Sequence, residues 1–246
     1  MTPTAGSPEK AAVRSMFDRI APRYDLLNRV LSAGIDVRWR RAATNALGGV
    51  GDALLLDLCT GTADLLIEAL GRDLRSRGLG LDLSQEMLSR GAAKLRRRGF
   101  SARAALVAGD GERLPLRDAR FEGALVSFGI RNIGDPVRAL AEIHRVLAPG
   151  GRFVILEFSM PKGALGSLYR FYFSRVLPRI GCLVSGDASA YSYLPASVER
   201  FQAPAELGRL MEAAGFAEVS WRPLTGGVAH LHVGRKPAAN ARERAA

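Results

Sequence analysis

The feature that most constrains the fold is a short apolar run that ends in a glycine-poor turn. Leu54–Leu58 forms the run, with Asp57 inside it. Cys59–Asp64 forms the turn, which contains Gly61, and an apolar helical pattern follows. A short apolar run bounded by turn residues predicts a buried strand, and the turn after such a strand is where a parallel sheet binds ligands. We therefore expect an α/β domain built around this strand.

A single domain over residues 1–246 is the expected organisation, because a chain of 246 residues buries an ample core. The net charge of +11 suggests an anionic partner or surface. The basic residues lie in short arginine groups without interleaved aromatic side chains, so we expect no nucleic-acid partner. Two isolated cysteines (Cys59 and Cys182), a polar N-terminus and the lack of a long apolar run predict a cytoplasmic protein.

From residue 53 onward, short apolar runs alternate with helical patterns. The predicted strands are Ala53–Asp57, Leu79–Leu81, Ala104–Ala108, Phe121–Val126 and Gly151–Phe158, and the predicted helices between them are Ala63–Leu70, Gln85–Arg97 and Pro136–Leu147. Such alternation predicts parallel strands with helices on both faces. After a helix over Ala205–Ala214, strands over Ala217–Leu224 and Val228–Val233 predict an antiparallel hairpin. This order is that of the Rossmann-like class I methyltransferase fold, with a seven-stranded, mostly parallel sheet.

Around this core the chain divides into segments of different character. We predict an N-terminal helical cap over 9–50, a cofactor-binding core over 51–160, a helical lid over 161–202, a C-terminal helix and hairpin over 203–236, and a disordered tail over 237–246. Within the cap, Asp36 is expected to cap a helix that runs to Leu47.

The turn after the first strand narrows the choice of ligand. A dinucleotide site needs three glycines so that the backbone can approach a pyrophosphate, and only Gly61 stands here. Asp82 follows the second strand, where a carboxylate accepts hydrogen bonds from ribose hydroxyls, and Ser84 is placed to cap the next helix. The two observations favour S-adenosylmethionine over a nicotinamide dinucleotide. The alternative is an ordinary strand-to-helix turn.

Two further loops lie at the same predicted edge of the sheet. Gly109-Asp110-Gly111 follows the third strand, beside the expected adenine. Ser127–Asn132 follows the fourth strand, where the methyl group and its acceptor should meet. The alternative for Arg131 is an ion pair with a surface acid such as Asp135. The three histidines lack metal-ligand spacing to other ligand residues, so no metal is expected.

These motifs resemble those of the menaquinone/ubiquinone-biosynthesis C-methyltransferases, from about residue 13 to 236. The resemblance rests on seven segments: Phe17–Asn28, Asp57–Asp64, Asp82–Leu88, Ser127–Asn132, Arg145–Gly151, Leu156–Pro161 and Tyr191–Pro195. The first segment, Ser-Phe-Gly-x-Arg-Asn and Tyr-x-Tyr-Leu are the most specific. The family usually has glycine where this chain has Ala63.

The resemblance implies methyl transfer from S-adenosylmethionine to a ring carbon of a polyprenylated quinol, above all demethylmenaquinol. The alternatives are a 2-methoxy-6-polyprenyl-1,4-benzoquinol, as in ubiquinone biosynthesis, or C- or O-methylation of another apolar molecule. The cofactor residues it implies are Thr62, Asp82, Asp110, Gly111 and Ser127, to which we add Asp57 and Gly61 from the turn. The expected substrate residues are Tyr24, Phe128, Tyr191 and Tyr193. A non-catalytic binding module is disfavoured by Asp82 and by the Arg131-Asn132 pair.

The expected mechanism requires a quinol oxyanion, because a ring carbon is a poor nucleophile until a neighbouring hydroxyl loses its proton. We predict that Arg131 stabilises this oxyanion, that Asn132 orients the ring, and that Asp64 or a bound water relays the proton. Leu165–Val184 mixes aromatic residues with arginines, which suits an interfacial helix on the inner face of an anionic membrane. A lid over an apolar pocket and a homodimer face are the alternatives.

Overall fold

The computed structural model describes residues 8–49, 51–161, 163–172, 175 and 188–238. Most of the predicted tail, residues 1–7, Cys182 and much of Leu165–Val184 lie outside these ranges. Three helices form the N-terminal cap: α1 (Pro8–Ile20), α2 (Tyr24–Leu31) and α3 (Ile35–Leu47). None of the helices in the described ranges is long and apolar enough to cross a bilayer.

Strands and helices then alternate through the core of the domain. In chain order they are β1 (Leu54–Leu58), α4 (Asp64–Arg72), β2 (Arg77–Asp82), α5 (Gln85–Arg97), β3 (Ala104–Ala108), β4 (Phe121–Ser127), α6 (Pro136–Val146) and β5 (Leu147–Phe158). The C-terminal elements are α7 (Gly163–Phe171), α8 (Ala188–Arg200), α9 (Pro204–Ala213), β6 (Ala217–Leu224) and β7 (Ala229–Arg235).

These strands form one seven-stranded sheet in the order β3-β2-β1-β4-β5-β7-β6. Strands β1 to β5 pair in parallel, while β7 is antiparallel to both β5 and β6. The strand order reverses between β1 and β4, which opens a crevice at the carboxyl ends of these strands. The predicted fold class is confirmed.

The alternation of side chains along β1 explains why helices cover both faces. Leu56 and Leu58 pack into a core shared with α6 and α9, whereas Leu55 packs on the opposite face among residues of α3 and α4. Because β1 is central, all three leucines are fully buried. A polar residue on either face would lack a water partner, so the strand is apolar except at Asp57, which accepts a hydrogen bond from the Thr60 hydroxyl.

Local capping predictions have mixed outcomes. Ser84 caps α5 as predicted, its hydroxyl accepting a hydrogen bond from the Met87 amide at 3.1 Å. Asp36, in contrast, does not cap α3. Gly34 occupies the N-cap position with a φ of +77°, and this left-handed turn already places Asp36 inside the first turn of the helix. The Asp36 side chain is buried there and pairs with Arg40.

Candidate active site

A cleft of about 730 Å³ lies at the carboxyl ends of the parallel strands, where the strand order reverses. It brings together five of the predicted cofactor residues: Gly61, Asp82, Asp110, Gly111 and Ser127. Helix α1 and the start of α2 close the opposite side through Lys10, Phe17 and Tyr24. Residues that are far apart in sequence therefore form one cleft, which we call the cofactor cleft because the predicted cofactor residues line it.

Asp82 is held in this cleft by the backbone. One carboxylate oxygen accepts a hydrogen bond from the Gly61 amide at 2.8 Å, and the other accepts one from the Ser84 amide at 2.9 Å. Burial raises the pKa of Asp82, while these backbone donors lower it. An ionised carboxylate has about four acceptor positions, so Asp82 keeps acceptor capacity towards the cleft, as the predicted ribose contact requires.

The Asp110 loop is tied to the N-terminal cap by Lys10. The ammonium lies 2.8 Å from Asp110 and 2.6 Å from Glu112, and its side chain is only 6% exposed. Sequence reasoning missed Lys10, because a lone lysine in the first turns of an amphipathic helix carries no motif. Its pairing with two acids of another loop depends on how α1 packs.

Three of the predicted residues lie behind the Cys59–Asp64 turn, and their side chains do not line the cofactor cleft. The Thr62 hydroxyl donates to Asp25 at 2.5 Å and accepts from Lys94 at 2.9 Å. Asp57 is buried and accepts a hydrogen bond from the Thr60 hydroxyl at 2.6 Å. Asp64 lies 2.6 Å from the Lys94 ammonium. These side chains support the turn, and the cleft is lined by their neighbours.

Ala63 stands where the family usually has glycine, and it keeps the left-handed backbone conformation of the turn. Its φ is +65°, in the left-handed region that favours glycine, and it stands at the N-cap of α4. This conformation costs an alanine roughly 1 kcal/mol. The methyl group is fully buried and packs with Leu66, Leu70 and Leu95, which offsets that cost.

A second, more apolar cleft of about 1240 Å³ adjoins the first. The two share Phe17, Tyr24 and Phe128, so these side chains form the junction between them. Three aromatic rings pack together on one side: Phe128 and Phe158 are stacked with centroids 4.2 Å apart, and Trp39 lies 6.0 Å from each. Tyr169 of α7 also lines this cleft. The aromatic rings offer an apolar surface beside the cofactor cleft, in which Phe128 and Phe158 are stacked and the Trp39 ring is steeply tilted to both.

Arg131 lines the apolar cleft and is 6% exposed. It pairs with buried Glu157 at 2.7 Å, and it donates to the Phe128 carbonyl and to the Ser197 hydroxyl. Its guanidinium carbon lies 5.5 Å from the centroid of the Phe158 ring. The proposed pairing with Asp135 does not occur, because Asp135 caps α6. Glu157 is the partner that sequence reasoning missed.

Asn132 and Tyr193 connect the two clefts. The Tyr193 hydroxyl donates to the Asn132 side-chain oxygen at 3.1 Å, and Asn132 lines the cofactor cleft while Tyr193 lines the apolar one. Tyr191 lies in α8, and its side chain is outside the part of the chain that the structure describes. The structure therefore brings together Tyr24, Phe128, Arg131, Asn132 and Tyr193 from the predicted catalytic and substrate residues.

The close approach of β1 and β4 makes Gly129 sensitive to substitution. A Cβ atom at Gly129 would lie 2.4 Å from the Cβ of Cys59. We expect Gly129→Ala to destabilise the protein by about 1–3 kcal/mol, because the neighbouring backbone must shift. Urea unfolding checks this, with Gly49→Ala as the control, since a Cβ at Gly49 meets nothing within 4 Å. Equal midpoints for the two variants would contradict the prediction.

Asp57 should make stability depend on pH. Burial raises the pKa of its carboxyl to about 7 in the folded protein, whereas the unfolded value is about 3.9. Between these values the folded state binds the additional proton, so the contribution of Asp57 to the free energy of unfolding falls as pH rises.

Asp57→Asn carries no titrating proton and removes this dependence. Its stability relative to wild type should therefore improve from about pH 5 to about pH 8. Urea unfolding of both proteins at the two pH values measures the difference. A difference that stays constant with pH would exclude a raised pKa for Asp57.

The sheet order and the position of the cofactor cleft show that the protein has the Rossmann-like class I methyltransferase fold. Solved structures agree. The cyclase SpnF is similar with a TM-score of 0.71 and 19% identity, covering 97% of this chain and 98% of that one. A Haemonchus contortus phosphoethanolamine N-methyltransferase in complex with S-adenosyl-L-methionine has a TM-score of 0.62 and 15% identity, covering 80% of this chain and 52% of that one. Because one of these is a cyclase, the likeness shows the fold alone.

Sequence comparison then identifies the family. The ubiE/COQ5 methyltransferase family model matches residues 5–236, and the chain belongs to this family. A demethylmenaquinone methyltransferase of Thermus thermophilus is 48% identical, covering 90% of this chain and 100% of that one. The Deinococcus radiodurans demethylmenaquinone methyltransferase is 47% identical, covering 92% of each chain. The ubiquinone/menaquinone biosynthesis C-methyltransferase of Geobacter sp. is 45% identical, covering 91% and 96%. The predicted family is confirmed, and the protein is an S-adenosylmethionine-dependent methyltransferase.

Proposed function

We propose that this protein transfers a methyl group from S-adenosylmethionine to a ring carbon of a polyprenylated quinol, above all demethylmenaquinol. The observation that carries the proposal is the apolar cleft, which meets the cofactor cleft at Tyr24 and Phe128 and contains the buried Arg131. The names of the relatives from Thermus and Deinococcus support a naphthoquinol, while those from Geobacter leave a benzoquinol as the alternative.

The residues at the junction account for the chemistry. When bound, the cofactor supplies an electrophilic methyl group on a sulfonium. The aromatic surface of Trp39, Phe128 and Phe158 holds the ring, and the Arg131 guanidinium stabilises the oxyanion that makes the ring carbon nucleophilic. Asn132, held by Tyr193, orients the ring for in-line transfer. Since Asp64 supports the turn, we assign the quinol hydroxyl proton to a bound water at the Asn132–Tyr193 pair. After the methyl group has left the sulfonium for the ring carbon, that carbon loses its C–H proton and the ring oxygen regains a proton, which restores the aromatic quinol.

Ring methylation of matched substrates tests this proposal. The purified protein is given S-adenosylmethionine and either a 2-prenyl-1,4-naphthoquinol or a 2-methoxy-6-prenyl-1,4-benzoquinol of equal prenyl length, both kept reduced. Mass spectrometry should detect a ring methyl on the naphthoquinol, with much less on the benzoquinol. Each unreduced quinone serves as the control, because it has no hydroxyl to ionise. Absence of a ring methyl on both quinols would overturn the proposal.

We also propose that the side of the apolar cleft formed by α2 and α7 binds the anionic inner face of the cytoplasmic membrane. Leu26 and Val30 of α2 are 56% and 44% exposed, and Phe171 at the end of α7 is 59% exposed. The Tyr172 hydroxyl donates to the Leu31 carbonyl at 2.9 Å, which joins the two helices. Apolar residues beside arginines suit such a surface, and a homodimer face is the alternative.

Vesicle flotation distinguishes these two possibilities. The protein should float with vesicles that contain phosphatidylglycerol and much less with neutral vesicles, because its net charge is +11. Phe171→Ser should weaken the binding, and Val137→Ser, which changes an exposed residue of α6, is the matched control. If no more protein floats with the phosphatidylglycerol vesicles than with the neutral vesicles, and sedimentation shows a dimer, the homodimer face is favoured.

A further inference from the structure

The α3 wall of the apolar cleft carries a buried ion pair that the proposed mechanism does not use. Asp36 and Arg40 are 4% and 7% exposed, and the Arg40 Nη2 atom lies 2.5 Å from Asp36 Oδ2. Both residues line the cleft that also contains Arg131. Burying two charges carries a desolvation penalty that well-packed apolar residues would avoid. A pair of charges on the wall of an apolar cleft therefore suggests a polar ligand group nearby.

Asp36, Arg40 and Arg131 are the charged side chains among the described residues that line this cleft. Trp39 lies on α3 between Asp36 and Arg40 in sequence, and its ring is 6.0 Å from that of Phe158. The Arg131 guanidinium lies over the same Phe158 ring. The two oxygens of a 1,4-quinol lie at opposite ends of the ring, so a quinol whose first oxygen meets Arg131 needs a second polar partner, and the ion pair supplies the other charged groups of this cleft.

The electrostatics of Tyr24 agree with this arrangement. Burial raises the pKa of the Tyr24 hydroxyl, and the charges of Arg131 and Arg40 both lower it. Tyr24 therefore lies within electrostatic reach of both cations, at the junction of the two clefts.

Asp36 can accept hydrogen bonds from a ligand but cannot donate them. Its Oδ1 atom accepts from the Ser32 hydroxyl at 2.8 Å and lies 3.7 Å from Nη1 of Arg29, and Oδ2 accepts from Arg40. A carboxylate has about four acceptor positions, so capacity remains for one more donor. Arg40 has a second anionic partner, because its Nη2 atom also lies 3.4 Å from Asp64, behind the cofactor turn.

We infer that Asp36 accepts a hydrogen bond from the second ring hydroxyl and thereby selects the quinol over the quinone. This inference rests on the proposed function and adds a specificity residue to it. A quinol presents a hydroxyl donor at that position, whereas a quinone presents a carbonyl oxygen. A carbonyl oxygen facing a carboxylate leaves two acceptors opposed in a buried site, which is unfavourable.

Fluorescence of Trp39 measures this selectivity without turnover. The protein has two tryptophans, so Trp221→Phe leaves Trp39, which lines the cleft, as the only one. This variant, loaded with S-adenosylhomocysteine, is titrated with 2-methyl-3-prenyl-1,4-naphthoquinone and, separately, with its quinol. The ring carbons between the carbonyls carry substituents, so the quinone does not alkylate thiols. We expect the quinol to bind at least about tenfold more tightly.

Asp36→Asn in the Trp221→Phe background tests whether the Asp36 carboxylate causes the preference for the quinol. Because an amide can donate a hydrogen bond to a carbonyl, the preference for the quinol should fall below about threefold, chiefly through tighter quinone binding. Ser32→Ala is the control: it removes a hydrogen bond to Asp36 but keeps the carboxylate, so the preference should persist. Thermal unfolding of each variant shows that it is folded at the titration temperature.

Two results would overturn the inference. An unchanged preference in Asp36→Asn would show that another group, such as Arg40, binds the second oxygen. A wild-type protein that methylates the naphthoquinol but binds quinol and quinone equally would also overturn it, while leaving the proposed function intact. Failure of the proposed function would appear separately, as absence of ring methylation by the wild type.

Discussion

Arg131→Ala is expected to lower kcat by about 10²–10³-fold, while the affinity for S-adenosylmethionine changes little. Arg131 lines the apolar cleft and does not line the cofactor cleft, so we expect its charge to act on the ring oxyanion and not on the cofactor. Single-turnover methylation of the naphthoquinol measures the first effect, and calorimetric titration with S-adenosylmethionine measures the second. A large loss of cofactor affinity would contradict the role assigned to Arg131.

A matched double variant separates catalysis from stability. Arg131→Ala leaves the Glu157 carboxylate buried and unpaired, which costs about 3–5 kcal/mol of stability. Glu157 is only 2% exposed, and its oxygens also accept hydrogen bonds from the Arg131 and Phe158 amides. Combining Arg131→Ala with Glu157→Gln removes the unpaired charge, so stability should recover while kcat stays low. Recovery of kcat in the double variant would show that the single substitution acted through unfolding.

Asp82→Ala is expected to weaken S-adenosylmethionine binding by about 10²–10³-fold, since two hydrogen bonds from the ribose to a charged acceptor are lost. The same substitution removes the acceptor for the Gly61 and Ser84 amides, which loosens the turn as well. Calorimetry with S-adenosylhomocysteine measures the affinity.

Two comparisons make this result interpretable. Asp82→Asn keeps the shape and one acceptor oxygen but removes the charge, so its affinity should lie between those of wild type and Asp82→Ala. Glu86→Gln changes a nearby acid on the solvent side of α5, where it pairs with Arg90, and should leave the affinity unchanged. An Asp82→Ala protein that is folded and binds the cofactor as tightly as wild type would exclude a ribose contact at Asp82.

The parts that could be predicted from sequence depend on local interactions. The apolar run of β1, the cap at Ser84 and the order of the loops after successive strands follow from periodicity and from hydrogen bonds between residues a few positions apart. Parallel strands place their carboxyl ends at one edge, so the topology alone brings Asp82, Asp110 and Ser127 into one cleft.

Tertiary packing decided which partner each polar side chain has. Arg131 pairs with Glu157 rather than with nearby Asp135, and Lys10 pairs with Asp110, which is 100 residues further along the chain. The Thr62 side chain faces Asp25 and Lys94 behind the turn, although its position in the motif suggested a cofactor contact.

The sequence by itself thus determined the sheet and its loops, which follow from the side-chain periodicity of each segment. It also determined the class of ligand, which follows from the glycine-poor turn and from Asp82. Only the tertiary structure decided which side chains line the clefts and which ones neutralise their neighbours. A buried charge pairs with whichever opposite charge the packing of distant helices brings within reach, and no local pattern specifies that choice. The turn from Cys59 to Asp64 illustrates both: its backbone follows from the sequence, while the direction of its side chains follows from α2 and α5 packing behind it.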